Sequence, residues 1–278
     1  MVRKVKLLVC MKQVPDTQKV RIDPEKGTLI RKGVPSITNP FDESALELAL
    51  EIREKVGGTI TVLTMGIPES ECILRDALTL GADCCYLLTH RYFAGSDTLA
   101  TSYILSRAIK KIGSFDLILF GKQAIDGDTA QVGPEVSGYL GLPVVTFVDD
   151  VRSLDDSKVV VERTTDYGRE IVEVSLPTAL TVVKAEKRLR VPTLSGVMRS
   201  FDLPLVRLGF EEIDAERNSC GLDGSPTRVK RVFSPKKHSR VRILEGGVEE
   251  IAKKFLEILD HKGLLKMAKS DVHAQEKS

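Results

Sequence analysis

The strongest constraint on this chain is a set of short runs that are apolar on every residue rather than on alternate ones. Leu7-Leu8-Val9 and Leu117-Ile118-Leu119-Phe120 are the clearest. A strand with no polar side must be buried on both faces, as in a parallel sheet covered by helices. Further β-rich runs lie at 59–64, 84–88 and 144–148, beside those at 5–9 and 117–120. Amphipathic stretches separate them. Ala45, Leu48, Ala49 and Ile52 repeat at helical spacing, as do Ile73, Ala77 and Leu80, and Ile104, Ala108 and Ile112. Strand, helix and strand with short connections predict an α/β, Rossmann-like parallel sheet with helices on both faces.

Two β-hairpin insertions interrupt that pattern. One spans 20–30 and turns at 24–27; the other pairs 159–162 with 171–174 and turns at Asp166-Tyr167-Gly168. Residues 178–184 read as one more strand. From 185 to 247 the chain is rich in Arg, Pro and Gly without a sustained period, and 221–226 is a turn cluster. A last amphipathic helix at 248–259 places Ile251, Phe255, Ile258 and Leu259 on one face, and 269–278 reads as a frayed tail. The expected division is an α/β domain at 1–184 and an arm at 185–278. The arm holds Leu203, Leu205, Val206, Leu208, Phe210, Val232 and Phe233 without sheet-forming order, so it is expected to pack on a partner.

Composition removes several function classes. The 41 Lys and Arg nearly cancel 39 Asp and Glu, which argues against nucleic acid or an acidic membrane as partner. Aromatics are 5% and Trp is absent, too few for stacking platforms on single strands. No apolar run approaches the ~20 residues that span a bilayer, and the first strand is too short for a secretory leader. Cys10, Cys72, Cys84, Cys85 and Cys220 form an odd set without C-x-x-C, which points to a reducing cytoplasm rather than a disulfide framework. His90, His238, His261 and His273 have no metal spacing.

Ligands of open parallel sheets bind beyond the carboxyl ends of the strands. After the run at 117–120 comes Gly121-Lys-Gln-Ala-Ile-Asp-Gly-Asp-Thr-Ala-Gln-Val-Gly-Pro134. Pro134 suits the first turn of a helix, so 126–133 reads as a loop or irregular first turn whose backbone N–H groups suit phosphate. Gly127 and Gly133 are expected to let the backbone approach closely. Asp126 and Asp128 repel phosphate; they suit capping, a ribose hydroxyl or the turn itself. Neither G-x-x-x-x-G-K-[ST] nor G-x-G-x-x-G occurs, so the pattern leaves nucleotide binding and a structural turn both open. Asn39-Pro40-Phe41-Asp42 fits an N-cap, a first-turn proline and the third position of a capping box. Gly95-Ser-Asp-Thr98 reads as an ordinary N-cap.

These segments together resemble the beta subunit of electron-transferring flavoprotein. The likeness rests on Val9-Cys-Met-Lys-Gln-Val, Asn39-Pro-Phe, Gly81-Ala-Asp83, Gly121-Lys-Gln-Ala-Ile-Asp, Asp128-Thr-Ala-Gln-Val-Gly-Pro, Val161-Glu-Arg-x-x-Asp and Ser234-Pro-Lys-x-x-x-x-Val. The resemblance implies an electron-carrier subunit that pairs with an alpha subunit and wraps it with a C-terminal arm. No nucleophile, base and orienter constellation appears in the sequence. The resemblance also implies a nucleotide held by Cys10, Asn39, Pro40, Phe41, Asp42, Met65, Gly121, Gln123, Ile125, Asp126, Gly127, Asp128, Thr129, Ala130, Gln131, Val132 and Gly133. The wording of 126–134 is similar to the flavin-bifurcating, NADH-using branch, which implies FAD here. In the plainer branch the ligand is AMP, with FAD confined to the alpha subunit. The implied electron partners are an acyl-CoA dehydrogenase-type or other flavoprotein oxidoreductase, with ferredoxin or flavodoxin as a further acceptor. The family's Asn-Glu-Pro-Arg-Tyr reads Lys187-Arg-Leu-Arg-Val191 here, while Thr193-Leu194 is kept; Leu194 is by resemblance the tip of a docking loop. The rival class, an ATP-using ligase on the same architecture, needs Ser-Gly-Gly-x-Asp-Ser after the first strand. Cys10-Met-Lys-Gln-Val-Pro15 lacks its glycines.

Overall fold

The computed structural model describes residues 4–16, 21–22, 29–30, 35–185, 189–230 and 243–265. The elements in chain order are β1 Val5–Cys10, β2 Gln13–Pro15, β3 Arg21–Ile22, β4 Leu29–Ile30, β5 Ser36–Thr38, α1 Pro40–Val56, β6 Gly58–Met65, α2 Glu71–Leu80, β7 Cys84–Leu88, α3 Thr98–Ile112, β8 Leu117–Gly121, α4 Val132–Leu140, β9 Val144–Leu154, β10 Lys158–Thr165, β11 Gly168–Ser175, β12 Thr178–Val182, α5 Leu194–Ser200, β13 Leu205–Leu208 and α6 Val248–His261. Nine strands form one sheet in the order β11-β10-β9-β12-β8-β1-β6-β7-β13. From β9 to β13 the neighbours are parallel; only the hairpin β10–β11 runs antiparallel at one edge.

The all-apolar strands behave as expected. Successive residues of β1 point to opposite faces, so Leu7 and Val9 join one core with Ala45, Leu48, Ile73 and Ala77 of α1 and α2. Leu8 and Cys10 join the other core with Ile104, Ala108 and Val136 of α3 and α4. β8 divides in the same way, Leu117 and Leu119 against Ile118 and Phe120. Helices therefore cover both faces of the sheet.

Three expectations are corrected. β9 runs on to Leu154 rather than ending at 148. Its first part pairs parallel with β12, its second antiparallel with β10, and register shifts and a left-handed Phe147 (φ 61°) mark the change of partner. Residues 205–208 were expected to lack sheet order, yet they pair parallel with β7 as β13, where Leu205 packs against one core and Leu208 against the other. Contacts accordingly divide the chain into Met1–Phe233 and Ser234–Ser278, not after residue 184. The strands of the first hairpin pair as Arg21 with Ile30 and Ile22 with Leu29. Its turn, the segment 186–188, Ser234-Pro-Lys-x-x-x-x-Val and the tail at 269–278 lie outside the described residues. In the second unit α6 keeps its apolar stripe, and none of its residues is buried. Among the described residues no helix is long and apolar enough to cross a membrane.

Candidate functional site

The chain leaves β1 through α1 to β6 on one side and returns through α3 to β8 on the other. The connections after β1 and β8 therefore diverge, and a crevice opens beyond their carboxyl ends. It encloses ≈ 390 Å³, within the usual range for a small-molecule site. Cys10, Met65 and Gly121, the last residues of three neighbouring strands, line it.

The first turn of α1 fastens this crevice. Pro40 is the first helical residue, as expected, but Asn39 makes no side-chain cap. The N–H groups of Asp42 and Glu43 donate to its main-chain oxygen instead. Its side chain reaches across to the loop after β8. Asn39 Nδ2 donates to Gln123 O (2.8 Å), and Ile125 N donates to Asn39 Oδ1 (3.2 Å). Asp42, expected in a capping box, ties two strand ends together: Lys12 N donates to Oδ2 (2.8 Å) and Gly121 N to Oδ1 (3.1 Å). Burial pushes the Asp42 carboxyl up to about 7, against the downward pull of these bonds. Burial, and then the charge of Asp42, pushes the Cys10 thiol well above its ordinary value. Cys10 is therefore a protonated wall residue rather than a nucleophile.

The two loop carboxylates hold the turn. Lys12 Nζ pairs with Asp126 (2.8 and 2.7 Å), and Gln123 Nε2 donates to Asp128 Oδ1 (2.7 Å). The N–H groups of Gly127 and Asp128 donate to Ala124 O. Asp128 and Ala130 then adopt left-handed φ of 50° and 54°, a conformation that costs about 1–3 kcal/mol for a residue with a Cβ. They swing the chain into α4, where Gln131 supplies no side-chain cap. The N–H groups of Val132 and Gly133 thus have no intrahelical partner, and Thr129, Ala130, Gln131, Val132 and Gly133 all line the crevice. The glycine expectation shifts. A Cβ on Gly127 meets nothing within 4 Å, whereas one on Gly121 collides with Asp42 Oδ1 and, at 2.7 Å, with the backbone of Phe41. Gly133 is small because Thr181 and Phe120 pack against it.

The opposite wall is the entrance of α3, which sequence reasoning set aside as an ordinary N-cap. Gly95, Ser96, Asp97 and Thr98 line the crevice. Asp97 does cap the helix, accepting from Ala100 N (3.1 Å), and also from Thr227 N (3.0 Å) and Oγ1 (2.7 Å). Burial pushes its carboxyl up, but these bonds hold it below the ordinary range. The signal was present: a Gly-Ser-Asp-Thr strand-to-helix entrance on the strand-end side of the sheet. Met65, Phe93, Leu105 and Phe120 give the crevice an apolar floor.

The structure thus gathers Cys10, Asn39, Asp42, Met65, Gly121, Gln123, Gly127 and 129–133 around one space. Pro40, Phe41, Ile125, Asp126 and Asp128 stand outside that wall; Asp126 and Asp128 shape it through their bonds. Leu194 is 78% exposed as the first residue of α5 and is no part of the crevice.

Residues 26–202 match the family described as the electron transfer flavoprotein domain. The chain is 45% identical over 260 residues to the electron transfer flavoprotein subunit beta of Thermoanaerobacterium thermosaccharolyticum, covering 93% of this chain and 99% of that one. It is 45% identical over 263 residues to the caffeyl-CoA reductase-Etf complex subunit CarD of Acetobacterium woodii (94% and 100%). It is 44% identical over 259 residues to Protein FixA of Bradyrhizobium diazoefficiens (91% and 90%).

Proposed function

This chain belongs to the electron transfer flavoprotein family as a beta subunit, and from that premise we propose that it pairs with an alpha subunit and holds the AMP half of an FAD in its crevice, in the service of NADH-driven electron bifurcation. The observation that carries the reading is the polarity of the crevice. At one side stand the unpartnered N–H groups of Val132 and Gly133, which suit a phosphate. At the other stand Ser96 and Thr98, whose oxygens suit sugar hydroxyls, beside the apolar floor of Met65, Phe93, Leu105 and Phe120. An adenosine phosphate fits that donor and acceptor set.

When bound, a flavin supplies acceptance of a hydride and release of single electrons. The chain's own residues bind and orient. Asn39 and Asp42 brace the loop against the strand ends, Lys12 neutralises Asp126, and Cys10 fills the wall without reacting. Support for FAD rather than AMP comes from the wording of 126–134. The unburied stripe of α6 supports packing of the arm on the alpha subunit. The exposed Leu194 supports docking of an acyl-CoA dehydrogenase-type flavoprotein, with ferredoxin or flavodoxin as second acceptor. Five free cysteines fit a reducing cytoplasm.

The test is chemical. The purified heterodimer is denatured and its released nucleotides are separated and counted. Two FAD per heterodimer is the expected result; one FAD and one AMP overturns bifurcation and leaves a simple electron shuttle.

A further inference from the structure

Glu47 is a carboxylate in the middle of α1, 8% exposed and far from either helix end. A charge so placed is tolerated only with a partner of good geometry. That partner is Arg190. Its Nε lies 3.0 Å from both carboxylate oxygens, its second guanidinium nitrogen 2.9 Å from Oε1, and its own backbone N donates to Oε2 at 3.2 Å. The remaining nitrogen reaches Glu54, about two helical turns along α1, at 2.7 Å. The guanidinium fork thus spans two carboxylates on one helix face.

Immediately after this fork the chain turns outward. Thr193 caps α5 by accepting from Gly196 N at 3.0 Å, and a Cβ on Gly196 would collide with Thr79 O of α2. One side of the segment is therefore pinned to α1 and α2. The other side shows Val191, Leu194, Met198 and Phe201 at 66%, 78%, 66% and 78% exposure. Leu194, Met198 and Phe201 fall at i, i+4 and i+7, one stripe of a helix. A helix of seven residues has too few internal bonds to stay formed alone. Its shape depends on what holds its ends.

We propose that Glu47 and Arg190 are positioning residues for partner docking: the half-buried fork between them fixes the entrance of α5, so that the apolar stripe is presented ready-formed to an incoming acyl-CoA dehydrogenase-type flavoprotein. The inference rests on the docking role of Leu194 proposed above. It assigns a cause to the affinity rather than another contact, because binding to a preformed surface avoids the ordering cost that a loose segment incurs. α1 also carries Asn39 and Asp42 in its first turn, so the same rigid helix braces the crevice and the docking stripe.

The test uses the alpha–beta heterodimer and a purified acyl-CoA dehydrogenase as probe. Glu47→Gln keeps the shape but removes the charge from the fork, and Arg190→Lys keeps the charge but cannot bridge two carboxylates. Each is expected to raise KM for the dehydrogenase about tenfold with kcat and nucleotide content unchanged, and to speed backbone hydrogen exchange across 193–200. The double variant Glu47→Leu with Arg190→Met removes the unpaired buried charge. It is expected to recover thermal stability while KM stays high. Recovery of KM together with stability overturns the positioning role, as does unchanged exchange across 193–200 in the single variants. Leu194→Ala separates the two readings. If it leaves KM unchanged, the docking role fails, and the exchange measurement alone then decides whether the fork orders α5.

Discussion

Adding one methyl group at Gly121 should damage this protein more than adding one at Gly127, although both glycines sit in the same loop region. A Cβ at Gly121 collides with Asp42 Oδ1 and lies 2.7 Å from the Phe41 carbonyl carbon and Cβ. Three of those neighbours belong to the first turn of α1, which has no slack, because Asp42 also accepts from Lys12 N. To admit the methyl, Asp42 must leave the N–H groups of Gly121 and Lys12. Above pH ~7, where Asp42 is ionised, each hydrogen bond to this charged acceptor is worth about 1.5–3 kcal/mol, so their loss costs ~3–6 kcal/mol. At Gly127 no atom lies within 4 Å and the backbone is not left-handed. Gly127→Ala should change stability by less than ~0.5 kcal/mol. The assay is denaturant unfolding of both variants with midpoint and slope, beside the nucleotide content of the purified heterodimer. Gly121→Ala should also lose nucleotide, since Asn39 moves with the same turn. An unchanged midpoint for Gly121→Ala, or a larger loss for Gly127→Ala, refutes the claim that Asp42 clamps the strand ends.

Asp42 has a pH signature. Its folded value of about 7 lies above the ordinary 3.8, so the folded state takes up the proton first. The stability this contributes is fully present below 3.8 and lost as pH rises through about 7; Asp42→Asn should flatten the midpoint between pH 5 and pH 8 relative to the wild type. Asn39→Ala removes both bonds to the loop after β8 and should cost ~1–3 kcal/mol, with weaker nucleotide retention. Leu194→Ala should weaken capture of an acyl-CoA dehydrogenase by ~2 kcal/mol in a binding assay, with nucleotide content intact.

The layers of this fold were legible because burial on both faces leaves a direct mark: Leu7-Leu8-Val9, in a short β-rich run, reads as a central strand. The strand-end rule points to Cys10, Met65 and Gly121 from the sequence alone. What stayed hidden was long-range. Asn39 and Asp42 are ideal helix starters, so local chemistry explained them completely. Their bonds to Gln123, Ile125 and Gly121 span some 80 positions, and no pattern within a window reports such a bond. β13 was missed because four residues at a sheet edge, with Arg207 among them, carry no periodic signal. They are a strand because β7 offers them an edge.

The left-handed residues show where local preference gives way. Asp128 and Ala130 occupy a region that glycine favours, while Gly127, next to Asp128, does not use it. A chain selected only for stability would place its glycines the other way round. Asp128 is held there by Gln123, and Ala130 by its position between that turn and the helix entrance. Side chains at these two positions narrow the conformations open to the loop, where glycine would widen them. Under the proposed anion site at Val132 and Gly133, the cost of the left-handed turns is set against a lower ordering cost on binding. The loop is stiffened by Lys12 with Asp126, by Gln123 with Asp128 and by Asn39 across the crevice. These bonds hold the turn before α4 in one shape, as the proposed anion site at Val132 and Gly133 requires.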